Sequence, residues 1–357
     1  MNVTFLIGNG FDLGVGLKSR FSDFFPEYKK RSAKKEKRIK ALSQNIVEDY
    51  GNWANFESML GEYTSKFTDE TKQDFLDQIR DFEREFNDYL KEQEKGLFFD
   101  NAEEIAETMR SGLCNFYSSD ILPVASHNAL RKKFANHQDE NCIYKFIVFN
   151  YTSIFEKCIN LIPNGVVRTR KTPAGEKIDS IKSVVYVHGR IGDYPLMGVN
   201  DVSQIKNQEL AKDKRFVQYI TKPLLNSAHR LDRDANATQM IQESSVVCVY
   251  GMSLGKTDKK WWQLIVQWLK SSPSRHLVVF LHDQGFSAND QFGRIEKENE
   301  LIDKLAGYAS GVDVETLRPR IHLAINKNIF ATKINNYAGH LFHLMNEQKN
   351  QKEEVTV

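Results

Sequence analysis

Six short apolar runs set the strongest limit on what this chain can fold into. They are residues 2–7 (NVTFLI), 144–149 (YKFIVF), 184–187 (VVYV), 246–250 (VVCVY), 277–281 (LVVFL) and 321–325 (IHLAI). Each is continuous rather than alternating, as expected of strands covered on both faces in a parallel sheet. Helical patterns at residues 213–231 and 258–270 separate some of them, and another at 334–346 follows the last. Together they predict a doubly wound α/β core.

Between Pro26 and Pro123 the chain has no proline and reads as helix, with Phe75, Ile79, Phe82, Phe86 and Tyr89 marking one apolar face. The expected organisation is an α/β core over 1–25 and 140–346, an α-helical insertion over 26–139 after the first βα unit, and a flexible tail over 347–357.

Composition excludes several classes. The 357 residues carry 49 Lys+Arg against 47 Asp+Glu, a net charge of +2 that points to no polyanionic partner. Cys114, Cys142, Cys158 and Cys248 are widely spaced, so neither a disulfide framework nor a zinc ribbon is expected. The first residues lack a basic leader pattern, and no apolar run approaches the ~18 residues of a membrane span. The chain is therefore expected to be cytoplasmic, without a metal and off the membrane.

The near-zero net charge is a cancellation. Residues 29–40 hold eight Lys/Arg and one Glu, whereas residues 69–107 hold 14 acidic and 5 basic residues. Self-association or partner docking through the insertion is the expectation from these blocks. The basic run has no interleaved aromatic residue, so nucleic acid is not the expected partner.

Ligands of open parallel sheets bind at the carboxyl ends of strands, so four loops matter most. In the first, Gly8, Asn9, Gly10, Phe11 and Asp12 follow a strand, and the glycines are expected to bring N–H groups close to a phosphate or ribose. It is not the dehydrogenase fingerprint: Leu13 stands where that pattern needs glycine. In the second, Asn150 follows a strand in Phe149-Asn150-Tyr151-Thr152, and Thr152 is placed to cap the next helix. The third is His188-Gly189, where an imidazole is available as base and glycine leaves room for substrate. The fourth, residues 251–258 (GMSLGKTD), approaches a P-loop but has three residues between its glycines instead of four. A Mg²⁺-dependent NTPase or nuclease using Lys256, Thr257 and Asp283 is the reading it leaves open. His340 and His343 lie three apart without a third ligand, and Trp261, Trp262 and Trp268 read as packing.

Taken in order, these loops resemble a known family. Residues 8–12 (GNGFD) continuing into 16–21 (GLKSRF) and Phe24, then Trp53 and Glu57, then 149–152 (FNYT), His188-Gly189, and Tyr250-Gly251 with Ser253, Leu254 and Asp258 resemble the AbiH family of bacterial phage abortive-infection proteins. A more distant similarity is to a reduced sirtuin pattern lining an NAD pocket. That resemblance implies a Rossmann-like, sirtuin-like sheet and NAD⁺ as substrate. It makes Asn150 the residue that positions the nicotinamide ribose and water, and His188 the general base. It also implies contacts to the dinucleotide from Gly8, Asn9, Gly10, Phe11, Asp12, Gly189, Gly251, Ser253, Leu254 and Asp258. Two departures stand out: Thr152 replaces an Asp, and the four-cysteine zinc module of protein deacylases is missing. Cleavage of NAD⁺ to nicotinamide and ADP-ribose is then the simpler reaction. The alternative of another class is a module that senses a nucleotide without turning it over.

Overall fold

A computed structural model describes residues 1–287, 289–290 and 292–336. Its strands are β1 (Asn2–Ile7), β2 (Leu97–Phe98), β3 (Ile143–Val148), β4 (Val166–Thr172), β5 (Gly175–Tyr186), β6 (Val246–Tyr250), β7 (His276–Leu281), β8 (Ile321–Ile325) and β9 (Asn335–Asn336). Seven form one sheet in the order β4-β5-β3-β1-β6-β7-β8, parallel throughout except for β4, which pairs antiparallel with β5. From β1 the chain winds outward first through β3 and β5, then through β6, β7 and β8. The order therefore reverses between β1 and β6, the place where a doubly wound sheet opens a crevice.

Two-sided burial explains the continuous apolar runs. Val3, Phe5, Phe146, Val148 and Val278 pack under helices Ala102–Asn115, Val124–Ala135 and Ile154–Asn160. On the other face Leu6, Ile147, Val247, Val249 and Val279 meet helices Arg233–Gln242, Lys259–Lys270 and Gly293–Tyr308. Trp261, Trp262 and Trp268 are buried in that second layer, as their spacing predicts.

The edge hairpin departs from expectation. Only residues 184–187 read as a strand, whereas β5 runs for twelve residues and β4 is added outside it. Their outer halves are polar because an edge strand faces water. Fully buried Asp179 binds the hairpin by accepting hydrogen bonds from Arg168 Nε at 2.7 Å, Arg170 Nη2 at 2.8 Å and the Cys142 amide at 2.8 Å. The helix expected at 213–231 is two, Lys214–Ile220 and Lys222–Ala228, with Pro223 in the first turn of the second, where a missing N–H costs little. Of the helix expected at 334–346, Asn335–Asn336 instead pair with β2. His340, His343 and the tail lie outside the described residues.

The insertion is also organised differently from a block over 26–139. Helices Ala102–Asn115 and Val124–Ala135 belong to the sheet's own cover. The separate module comprises helices Phe21–Ser32, Lys37–Glu48, Phe56–Tyr63 and Lys72–Lys95. Its aromatic core includes Phe56 stacked against both Phe21 and Phe82, each at 4.5 Å between ring centroids. A second chain segment completes it, contributing Met197, Val199, Ile205, Phe216, Val217 and Ile220.

The basic and acidic blocks meet each other within this module. Arg31 pairs with Glu92 at 2.6 Å, Lys35 with Asp81 at 2.7 Å and with Glu85 at 2.5 Å, and Arg38 with Asp77 at 2.6 Å. Much of the complementary charge thus finds its partner inside the chain. Among the described residues no helix is long and apolar enough to cross a membrane.

Candidate functional site

The loops after β1 and β6 touch at the order reversal. The Gly8 amide donates to the Tyr250 carbonyl at 2.9 Å, and the Gly10 amide to the Gly251 carbonyl at 2.8 Å. A Cβ on Gly8 would lie 2.3 Å from Met252 Cγ, and one on Gly10 only 2.5 Å from Gly251 Cα. Gly251 itself has φ +68°, a conformation that favours glycine. The amides of Phe11 and Leu13 donate to the carbonyls of Gly8 and Asn9. The glycines therefore serve close backbone packing, and the Gly8, Gly10, Phe11 and Leu13 amides donate to protein carbonyls.

A short helix, Gly10–Gly14, carries Asp12 into the interior, where it is fully buried. Its carboxylate accepts from Asn150 Nδ2 at 2.9 Å and from Thr152 Oγ1 at 2.7 Å. Burial raises the Asp12 carboxyl to about 7 in spite of these two donors. With its NH₂ committed to Asp12, Asn150 turns Oδ1 away, and that buried oxygen has no hydrogen-bond partner among the described residues. The same is true of the Tyr186 hydroxyl. Asp12 thus orients Asn150 from behind rather than facing open space. Thr152 does not cap a helix: Ser153 is the N-cap of Ile154–Asn160, and its amide and hydroxyl both donate to Glu94, at 2.6 and 2.7 Å.

His188 comes from the turn after β5. Its ring meets Phe149 edge-on at 5.5 Å and stacks over Tyr151 at 6.2 Å, so it lies against both neighbours of Asn150. Burial, together with the nearby Lys222 ammonium, holds the imidazole well below its ordinary value, and it is neutral. Gly189 has φ +69°, and a Cβ there would lie 2.0 Å from the Tyr194 carbonyl oxygen. The room expected beside the histidine is therefore occupied by backbone.

A second polar group adjoins His188 and joins three parts of the chain. Lys222, at the start of helix Lys222–Ala228, forms a buried ion pair with Glu57 of the helical module. Asn200 Nδ2 donates to Glu57 Oε2 at 2.9 Å and also to the Thr257 carbonyl. Asp258 follows in the β6 loop, where burial and the Glu57 charge raise its carboxyl to about 7 against the pull of Lys222. Ser253 of that loop is exposed, and the Leu254 carbonyl accepts from the Tyr308 hydroxyl at 3.2 Å. The P-loop reading fares less well: residues 256–258 form a single 3-10 turn before helix Lys259–Lys270, and Asp283 is paired with Lys297 at 2.9 Å. Lys222 and Asn200 carry no motif that flags them.

Residues 4–280 match the model of the family described as bacteriophage abortive infection AbiH. The chain belongs to the AbiH family. No curated protein matches it. The AbiH match starts within β1 and reaches β7, so Asp12, Glu57, Asn150, His188, Asn200, Lys222 and Asp258 all lie inside it.

This AbiH chain should show an unusual dependence of stability on pH. Burial holds Asp12, Glu83 and Asp258 near 7, above the ordinary value of about 4. The folded state thus binds protons that the unfolded chain has released, and stability should rise as pH falls from 8 to 6.5. Below 6.5 the neutral imidazoles of His188, His276 and His322 act in the opposite sense, because only the unfolded chain protonates them there. Melting temperatures across this range check the sign, and a decline between pH 8 and 6.5 would contradict it.

Proposed function

We propose that this AbiH-family chain acts in phage abortive infection by hydrolysing NAD⁺ to nicotinamide and ADP-ribose. The observation that carries the reading is the meeting of His188, Lys222, Glu57 and Asp258 at the carboxyl edge of the sheet, with the His188 ring against the Phe149 and Tyr151 rings that flank Asn150. Such a place suits a nucleotide.

The reaction asks little of a protein. Nicotinamide leaves as a neutral group from a cationic ring, so the site must hold the ribose, orient a water and exclude others. Asn150 Oδ1 is an acceptor without a competing donor among the described residues, suited to a ribose hydroxyl or the water. His188, being neutral, offers a second acceptor and is a weaker base than a free histidine. A dinucleotide also needs contacts along its length, and the exposed Ser253 and half-buried Asn9 are at hand on the β6 and β1 loops.

Incubation of purified protein with NAD⁺, with nicotinamide measured over time, tests the proposal. Joint replacement His188→Ala with Asn150→Ala should lower the rate by about 10²- to 10⁴-fold. Saturable binding with only intact NAD⁺ recovered would replace the hydrolase by a sensor. Turnover that survives both substitutions would remove these residues from the chemistry.

A further inference from the structure

Asp258 occupies a position where aspartate usually has a simple task. It is the N-cap of helix Lys259–Lys270, and an N-cap aspartate ordinarily accepts from the backbone amides of the first turn. Asp258 makes no such bond. Nor is it the ion-pair partner of the nearby ammonium, since Lys222 is taken by Glu57. Its carboxylate is thus left half-buried beside a completed pair, in the loop after β6 where the strand order reverses.

Its surroundings are polar groups supplied by other elements. Glu57 and Asn200 sit on one side, the latter holding the Thr257 carbonyl immediately before Asp258. Lys222 is preceded by Thr221, a buried residue whose hydroxyl has no hydrogen-bond partner among the described residues. The charged and titratable groups acting on Asp258 are Glu57, Lys222 and, from helix Gly293–Tyr308, Tyr308. Cap geometry would stabilise a charged aspartate, whereas this arrangement forgoes that stabilisation.

We infer that Asp258 is the catalytic base of the reaction, taking the proton of the attacking water while Asn150 and His188 hold the ribose. The inference rests on the NAD⁺ reading above. In the step, a lone pair of the water oxygen forms the new bond to C1′ of the ribose. One water proton passes to an Asp258 carboxylate oxygen. The bond from C1′ to the nicotinamide nitrogen breaks, and its electron pair stays on that nitrogen and neutralises the pyridinium. Nicotinamide and ADP-ribose leave, and Asp258 returns its proton to solvent. A base with this carboxyl's value of about 7 is matched to neutral pH, unlike the imidazole of His188.

The test is the pH profile of nicotinamide release for the full chain and for Asp258→Asn, Asp258→Glu and His188→Ala. The wild type should gain activity as pH rises through about 7, and Asp258→Asn should lose about 10²- to 10⁴-fold with that limb gone. Asp258→Glu should recover part of the rate, and His188→Ala should keep the limb at reduced activity. Calorimetry should find intact NAD⁺ still bound by Asp258→Asn, and its melting temperature should equal or exceed that of the wild type, because a cap bond is not lost and a like charge beside Glu57 is removed. Turnover with an unchanged profile in Asp258→Asn overturns the inference and leaves the NAD⁺ reading intact. A wild type without turnover overturns both.

Discussion

Lys222→Met should cost about 3–5 kcal/mol of stability, the loss expected when one member of a buried ion pair is removed. The substitution leaves the Glu57 carboxylate in the interior with Asp258 close by and the compensating ammonium gone. Methionine keeps the length and apolar stem of lysine, so packing changes little. Glu57→Gln should cost less, because Asp258 can then serve as the counter-charge for Lys222. The order of the two effects is the sharper prediction. Urea unfolding of both variants measures it, and a loss below 1 kcal/mol for Lys222→Met would show that the pair is solvated in solution.

Gly10→Ala should be strongly destabilising. Its Cβ would lie 2.5 Å from Gly251 Cα and 3.0 Å from the Gly251 carbonyl oxygen, and both are backbone atoms with no rotamer to change. The β1 and β6 loops would have to separate, at a cost of about 3 kcal/mol or more, the upper range of overpacking. Asp12, two residues on, would move with the β1 loop and release Asn150 from its orientation. Gly14→Ala is the matched control, since nothing lies within 4 Å of its Cβ and its φ is unexceptional. That variant should be neutral or gain a few tenths of a kcal/mol from lost unfolded-state freedom. Equal unfolding midpoints for the two variants would refute the packing account.

What could be read from the sequence follows from what each residue's role depends on. β1, β3, β6, β7 and β8 were legible because burial on both faces imposes an unbroken apolar run, a local signal. β4 and the first half of β5 were not, because an edge hairpin shows water one face and its residues resemble a loop. Asn150 could be picked out as a polar residue just past a buried strand. Lys222 could not: its meaning lies in a contact with Glu57, 165 positions away, and no periodicity reports that. The glycines were legible as tight-approach positions, and the backbone of another loop is what lies against them, a contact that no local pattern names. Asp258 was legible only as the start of a helical pattern, because the missing cap bond and the neighbouring Glu57–Lys222 pair are matters of tertiary packing.

The helical module is built from two stretches of chain, and this limits how such proteins can diversify. Met197, Val199, Ile205, Phe216, Val217 and Ile220 share its interior with the aromatic residues of the earlier helices. Lys72 reaches Asp213 at 2.6 Å, and Asn207 donates to the Phe67 carbonyl at 2.7 Å across the same seam. Exchanging the first stretch alone for that of a relative would leave a mismatched lining on the second, so the module is not a cassette. Recombination that preserves the fold must carry both stretches together, and with them Glu57 and Lys222, so that a change in the module's interior and a change at this buried ion pair are inherited as one unit.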